Sequence, residues 1–269
     1  ILDPLLIFGI GPFPRMGIKG AAVAALISNL LSFTFSIIFL TLKSSKYEFK
    51  LRHTIPDLQI IKSIYSTGVP SIVINVIGGL VLVIYNHVLA DFGFRAIGAF
   101  GICFRIMSIA TMVVFGIGAG LMPVVGFNSG AKLYQRMRKS VFVSILISLS
   151  FAFAALLFLE IFAIPIVGLF SKDIALMAIA IESLRFHASA LVFIAPIIIF
   201  IYTLMGLGRG TLAMFLIFFR DTVIFIPMLL ILPKFCGMTG VWMALPLTNL
   251  IALFVVVFWI RKELHGIDI

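Results

Sequence analysis

Residues 17–42 read GIKGAAVAALISNLLSFTFSIIFLTL, and this stretch decides the fold. It opens on Gly17-Ile18-Lys19-Gly20 and then runs largely apolar. Its length suffices to cross a bilayer core, which takes roughly 20 residues of helix. The pattern returns 220 positions later as Gly237-Met238-Thr239-Gly240. Residue classes then agree in one register: Ala21 with Val241, Ala24 with Ala244, Ile27 with Leu247, Ser28 with Thr248. Asn29-Leu30 meets Asn249-Leu250 without a gap. Upstream, with a small shift, Asp3-Pro4-Leu5-Leu6-Ile7 precedes one copy and Ile226-Pro227-Met228-Leu229-Leu230 the other. We read an internal structural repeat of a membrane protein. If the second copy ends its repeat, the first ends one too, so most of the first repeat is expected outside this chain.

Composition agrees. The chain has 269 residues, 62% hydrophobic and 11% charged, against about 25% charged in a soluble globular protein. Mean hydropathy is +1.26. Such a chain cannot solvate its own surface, and membrane lipid is its first expected partner. The net charge of +10 does not point to nucleic acid, because no basic, aromatic-interleaved groove accompanies it. Cys103 and Cys236 are too few for a disulfide framework. Ile1 is not an initiator Met and no signal peptide is visible, so the chain is expected to be truncated at its start.

Seven segments are long and apolar enough to span: about 18–42, 64–90, 96–128, 141–170, 174–204, 211–232 and 238–260. Several exceed 25 residues, which implies tilt, kinks or projecting ends. None alternates as a barrel strand would, so all are expected to be helices. Pro70, Pro123, Pro165, Pro196, Pro227 and Pro246 lie in or near them. Neighbouring helices or cavity water can satisfy the carbonyls that each proline frees.

The loops set an orientation. One side collects twelve basic residues: Lys43, Lys46, Lys50, Arg52, Lys62, Lys132, Arg136, Arg138, Lys139, Arg209, Arg261 and Lys262. The other has five: Arg15, Lys19, Arg95, Lys172 and Lys234. The richer side is expected to be cytoplasmic, which puts the C-terminus there and predicts a multi-pass protein of the plasma (inner) membrane. The polar stretch after residue 42 reads as a join between two halves. The expected organisation is residues 1–42 as the end of an N-terminal lobe, 43–63 as a cytoplasmic linker, 64–262 as a six-helix C-terminal lobe and 263–269 as a cytoplasmic tail. Six helices per repeat implies a parent of twelve, about five of which would be missing along with most of the N-terminal lobe.

Pro123-Val124-Val125-Gly126-Phe127-Asn128-Ser129-Gly130-Ala131 resembles the P-x-x-G-x-N-x-G-A signature of the multidrug and toxic-compound extrusion (MATE) transporters. Gly68-Val69-Pro70 resembles the G-x-P opening of the first helix in each lobe of that family. Gly206-Leu207-Gly208-Arg209-Gly210 resembles the turn after its tenth helix, and Asp3-Pro4 with Gly17-x-x-Gly20-Ala21-Ala22 the join between its fifth and sixth. The resemblance covers nearly the whole chain. It implies an all-α, polytopic bundle, here the C-terminal six-helix lobe of a twelve-helix, pseudo-symmetric inverted-repeat transporter plus the last helix of the other lobe. It further implies antiport of cationic or amphipathic drugs against Na+ or H+. The NorM-like branch carries acids in its seventh and tenth helices. The matching stretches here, residues 72–82 and 193–199, hold only Asn75 as a strongly polar residue. The chain therefore resembles the DinF- or MepA-like branches more. In DinF-like members the coupling acid lies in the first helix, which is absent here.

Ionisable groups in hydrocarbon cost several kcal/mol and need partners or water. Arg105 sits about ten residues into the third segment, and Asn75 and Asn86 lie eleven apart on one helical face. Each is a candidate for lining a central cavity; an inter-helix hydrogen bond is the other reading. Glu182 and Arg185 are i,i+3 neighbours that can pair. A histidine ordinarily titrates near neutrality, so His187 suits a proton-coupled step, or is structural. Glu160 reads as interfacial. Arg220 and Asp221 are adjacent, point about 100° apart on an α-helix and need not pair. Asp221, Glu182 and His187 are thus the candidates for ion or proton coupling. Met112, Phe115 and Phe193 flank kink-forming Pro and Gly and are candidates for an adaptable cavity for flat cations, or for packing. Gly68, Pro70, Pro123, Gly126, Asn128 and Gly130 are structural motif residues.

No Walker-type loop, metal-ligand cluster or nucleophile–base spacing appears, so no cofactor and no enzyme activity is expected. The expected function is cation-coupled antiport by alternating access. A lipid-linked oligosaccharide or lipid II flippase of the same fold is an alternative that would want a strongly basic cavity. A membrane-embedded enzyme is another, and it needs Glu160, Glu182 and His187 to converge on one pocket.

Overall fold

A computed structural model describes residues 2–41 and 57–265. Among them six stretches are long and apolar enough to cross a membrane: Ile18–Thr41, Gly68–Ala90, Phe94–Gly130, Tyr134–Ile161, Ile174–Gly206 and Gly210–Phe258. The last holds two of the seven expected segments, divided at Gly237. The expected linker lies mostly outside the described residues, as does the tail beyond His265. The chain divides into two compact units, Ile1–Lys62 and Ser63–Ile269.

The first unit contains α1 (Leu2–Phe8) and α2 (Ile18–Thr41), which pack on each other. The connection returns on itself through Gly9 and Gly11, both at positive φ, and is held by the amide of Met16 donating to the Leu6 carbonyl at 3.0 Å. Gly17 then turns the chain at φ 57°.

In the second unit the helices are α3 (Leu58–Ala90, most of it here), α4 (Phe94–Gly130), α5 (Tyr134–Ile161), α6 (Ala163–Gly168), α7 (Ile174–Gly206), α8 (Gly210–Phe218) and α9 (Ile226–His265). A π-helical turn, Phe219–Phe225, joins α8 to α9. The expected fourth segment is therefore two pieces, α5 and the short α6 around Pro165.

α7 is the axis of this unit and packs against α4, α5, α6, α8 and α9. Its sequence explains the position. Ala180, Leu184, Ala188, Leu191, Ala195 and Ile198 repeat at three- and four-residue steps and are buried against α4 and α5. Small residues let the backbones approach, which carries helix association where lipid supplies no hydrophobic drive. Near the last turns of α4 and α7 a Cβ at Gly206 would stand 2.6 Å from the Met122 carbonyl oxygen, and one at Gly126 3.3 Å from the Gly206 carbonyl. α7 begins at Asp173, whose carboxylate accepts from the amides of Ala175 and Leu176. Arg95, at the start of α4, pairs with Asp173 at 3.2 Å. The hydrogen bond from Leu176 foremost, with that from Ala175 and the Arg95 guanidinium, holds the Asp173 carboxyl below its usual range.

The repeat is visible in the backbone. Gly237 sits at φ 59°, matching Gly17 at φ 57°. A Cβ at Gly240 would run into the Leu232 carbonyl and the Pro233 nitrogen; at Gly20 it would run into the Leu6 carbonyl and the Ile7 nitrogen. A straight helix would hold Leu232 and Gly240 about 12 Å apart, so α9 reverses at Gly237. The upstream register differs from the expected one. Leu6 matches Leu232 rather than Leu229, because the reversing loop is longer in the first copy.

Candidate functional site

Two cavities open on adjacent faces of α7. The first is a groove of about 420 Å³ between α4, α7 and α9. α4 contributes Phe104, Met107, Ser108, Thr111, Met112 and Phe115; α7 contributes His187, Ala190, Leu191 and Ile194; α9 contributes Leu245 and Asn249. The three- and four-residue spacing on α4 puts its whole contribution on one stripe. The hydroxyls of Ser108 and Thr111 donate back to carbonyls of their own helix, at Arg105 for Ser108 and at Met107 and Ser108 for Thr111. They present little polarity to the groove. Two polar side chains remain, and both are buried: His187 and Asn249.

His187 also closes an aromatic cluster. Tyr85 stacks on Phe100 at 4.2 Å between centroids, and Phe225 and Trp242 complete the group. The His187 Nδ1 lies 2.8 Å from the Ser183 carbonyl. A carbonyl only accepts, so Nδ1 carries the hydrogen, and in the neutral ring Nε2 is left as an acceptor. The Tyr85 hydroxyl is 3.4 Å from that Nε2 and 3.4 Å from the Val241 carbonyl. One ring thus joins α3, α7 and α9 at the groove's edge.

The second cavity, about 500 Å³ and open, is lined by Glu160, Ala178, Ile181, Glu182, Arg185, Phe186 and Ser189. Arg185 pairs with Glu160 of α5 at 3.2 Å. Glu182 accepts from the Thr239 hydroxyl of α9 at 2.7 Å. The expected Glu182–Arg185 pair is not formed. The i,i+3 spacing allows it, but Arg185 reaches across to the neighbouring helix instead, so Glu160 is a cavity residue and not simply interfacial. Two carboxylates and one guanidinium leave this cavity with an excess negative charge.

Arg220 and Asp221 pair with each other at 2.7 Å, with side chains 18% and 13% exposed. They lie in the π-helical turn, where the wider winding brings neighbours closer than the 100° of an α-helix. The pairing neutralises Asp221.

Of the expected cavity residues, Met112 and Phe115 line the groove together. Phe193 does not; it follows Ser189 by four positions and so falls on the side of α7 that carries Ser189, though it lines neither cavity. Arg105 is exposed beside Phe104 and is not among the groove's lining residues. Asn86 donates back to the Leu82 carbonyl at 2.9 Å, and Asn75 is exposed on α3; neither lines the groove. The motif residues occupy the following settings. Asn128 is buried and donates to the Val124 carbonyl, Pro70 packs near Gly210, and Pro123 lies inside α4. Among the described residues, none beyond the glycine's own chain neighbours and helix backbone comes within 4 Å of the Cβ position at Gly68 or Gly130.

Phe104, Tyr85, Thr239 and Asn249 escape a reading that scans for ionisable groups. Asn249 was within reach of the repeat, since Asn29-Leu30 and Asn249-Leu250 match. Among the described residues no cluster of His, Cys, Asp or Glu could hold a metal ion. Glu160 and Glu182 share one cavity while His187 lines the other, so the three do not converge as the enzyme alternative needs.

The fold and sequence have known counterparts. The multidrug export protein MepA of Staphylococcus haemolyticus is 29% identical over 259 residues, which is 96% of this chain and 56% of that protein. The FAD transporter of Shewanella oneidensis is 31% identical over 259 residues, 93% of this chain and 56% of that protein. This chain thus spans somewhat more than half the length of these curated relatives. Among solved structures, a multidrug resistance MATE family transporter of the MOP superfamily in an outward-facing conformation superposes with a TM-score of 0.89 at 24% identity, covering 100% of this chain and 60% of that one. A MOP superfamily transporter from Pyrococcus furiosus, described as having reverse polarity of its binding pocket, gives 0.89 at 23% identity with the same coverage. These two likenesses show the fold: a helical, multi-pass membrane bundle. The MatE family model matches residues 70–231, more than half of the chain and all within the second unit, and the chain belongs to that family.

Proposed function

We propose that this chain is the greater part of a secondary antiporter that exports cationic or amphipathic compounds, including drugs, by alternating access. The observation that carries the proposal is the groove between α4, α7 and α9. It is lined by Phe and Met, holds His187 and Asn249, and opens in a family whose relatives include multidrug export proteins. Aromatic faces attract cations, and Met adapts to different shapes. The described residues that line it include no Arg or Lys, which disfavours the flippase alternative and its need for a basic cavity.

Coupling to Na+ or H+ is assigned to Glu182. Asp221 is neutralised by Arg220, and Glu160 by Arg185. Glu182 receives one hydroxyl hydrogen bond and lines an open cavity, so a cation or proton can reach it. His187, buried at the groove's edge, is assigned the link between the two α7 faces. Rocking of this six-helix lobe against a second one would expose the groove to either side in turn. The distribution of basic loop residues supports a cytoplasmic C-terminus, in a protein we assign to the plasma membrane.

The test is ethidium extrusion from everted vesicles energised by a sodium gradient alone or a proton gradient alone. Extrusion under one of them is expected. Extrusion under neither would sink the antiport reading.

A further inference from the structure

The corner between α4 and α5 gathers positive charge that the neighbouring sequence does not balance. Lys132, Arg136, Arg138 and Lys139 fall close together, and no Asp or Glu occurs between Asp91 and Glu160. Arg95, Arg185 and Arg220 each pair with a carboxylate, that of Asp173, Glu160 and Asp221 in turn. Among the described residues Lys132, Arg136 and Lys139 have no such partner.

Helical phase aims two of these charges away from the bundle. Met137, Val141, Ser148 and Ala152 of α5 are buried. Arg136, Lys139, Val143, Leu146 and Ile147 are exposed and share the opposite face. Past Lys139 that face stays apolar as far as Leu157, apart from Ser150. α5 has 28 residues. At 1.5 Å per residue it is about 42 Å long, and the hydrocarbon core takes only about 30 Å of that. Its first turns therefore stand at headgroup level, where the half-buried ring of Tyr134 also fits. The order along the outer face is positive charge at headgroup level, then apolar surface at acyl level.

We propose that this face of α5 binds an anionic phospholipid, with Arg136 and Lys139 holding the phosphate and Val143, Leu146 and Ile147 carrying the acyl chains. Charge complementarity selects this occupant, because a polybasic segment beside a membrane-spanning helix attracts anionic headgroups. A zwitterionic lipid matches the apolar part alone. Lys132, in the adjoining turn, adds to the attraction. The bound lipid fixes the level of the α4–α5 corner at the membrane surface. The inference needs only the membrane setting of the bundle and is independent of the export reading.

The test is native mass spectrometry of the purified chain in detergent, titrated with phosphatidylglycerol or with phosphatidylcholine of the same acyl chains. Each basic residue beside anionic lipid is worth about fivefold in affinity, so the parent is expected to bind phosphatidylglycerol about 25-fold more tightly than phosphatidylcholine. Arg136→Gln with Lys139→Gln is expected to bring the two lipids within about threefold, with phosphatidylcholine binding held within about twofold as the sign of an intact surface. Lys172 and Lys234 are exposed at the other end of the bundle. Lys172→Gln with Lys234→Gln removes the same charge there and is expected to leave the preference in place. Glycerol 1-phosphate, which has the phosphate but no chains, is expected not to displace the lipid at millimolar concentration. The proposal is overturned by a parent without preference, by equal weakening of both lipids in the Arg136 and Lys139 variant, by equal loss of preference in both double variants, or by displacement with glycerol 1-phosphate. None of these outcomes touches the export reading.

Discussion

The two cavities on α7 differ in nearly every physical respect although they share a helix. The groove facing α4 and α9 is apolar, walled by rings and thioethers, with its two polar side chains buried. The cavity against α5 is open and charged, with Glu160 and Arg185 side chains 39% and 52% exposed. Helical geometry makes this possible. Residues 187, 190, 191 and 194 form one stripe, and 182, 185, 186 and 189 the next. A single rigid helix can thus carry a place for an organic cation and a place for a small ion, side by side but separate. In our account this separation underlies coupling: the two ligands need not compete for the same atoms, because both act on the position of one helix.

The largest test of that division is Glu182→Gln. Gradient-driven ethidium extrusion is expected to fall at least about tenfold, while equilibrium ethidium binding stays unchanged. Binding that falls in step with extrusion would break the comparison, because it would put Glu182 in the drug site. Phe115→Ala is the reciprocal change. It is expected to weaken ethidium binding by about 1 kcal/mol, roughly fivefold, through lost ring contact, without altering which gradient drives export. A switch of driving ion would erase the distinction. The Glu160–Arg185 pair is half exposed, so a double-mutant cycle on thermal unfolding in detergent should give a coupling of only about 0.5 kcal/mol. A value several times larger would mean the cavity is far less open than its lining shows. The smallest effect belongs to Asp173→Asn at the start of α7. Its carboxyl is held below the usual range, so its contribution is present at neutral pH and lost as pH falls through the depressed value. The variant should melt slightly below the parent at pH 7 and level with it in strong acid; an equal difference at both would deny the charge its role.

Much of the fold was legible because lipid imposes simple rules. Apolar runs of bilayer length and Gly17-x-x-Gly20 repeated at Gly237-x-x-Gly240 needed no tertiary knowledge. Even the glycine contacts agree, since Gly20 and Gly240 each press on a carbonyl of the preceding strand of chain. The polar pairings were not legible. Spacing offered Arg185 a partner at Glu182, yet the arginine chose Glu160, 25 positions away on another helix. Arg220 and Asp221 met because a π-helical turn replaced the expected α-helix, and nothing local announces that turn. Met112 and Phe115, singled out because they flank kink-forming Pro and Gly, line one groove from α4, whereas Phe193 lies about one sixth of a turn from the groove stripe of α7, a helical phase that composition does not encode. Asn249 was overlooked because an uncharged amide draws no attention until its burial against the groove is seen.

We propose that the organic cation occupies the groove and not the charged cavity. Substrate protection of single cysteines measures this directly. Cys236 is exposed and would be replaced by Ser, while Cys103 is buried and can stay. Met112→Cys then reports on the groove and Ser189→Cys on the charged cavity, each labelled by a membrane-permeant maleimide in nanodiscs with and without saturating ethidium. Labelling is expected to slow several-fold at position 112 and to stay unchanged at 189. Equal rates at position 112 with and without ethidium, or protection at 189 alone, would contradict it.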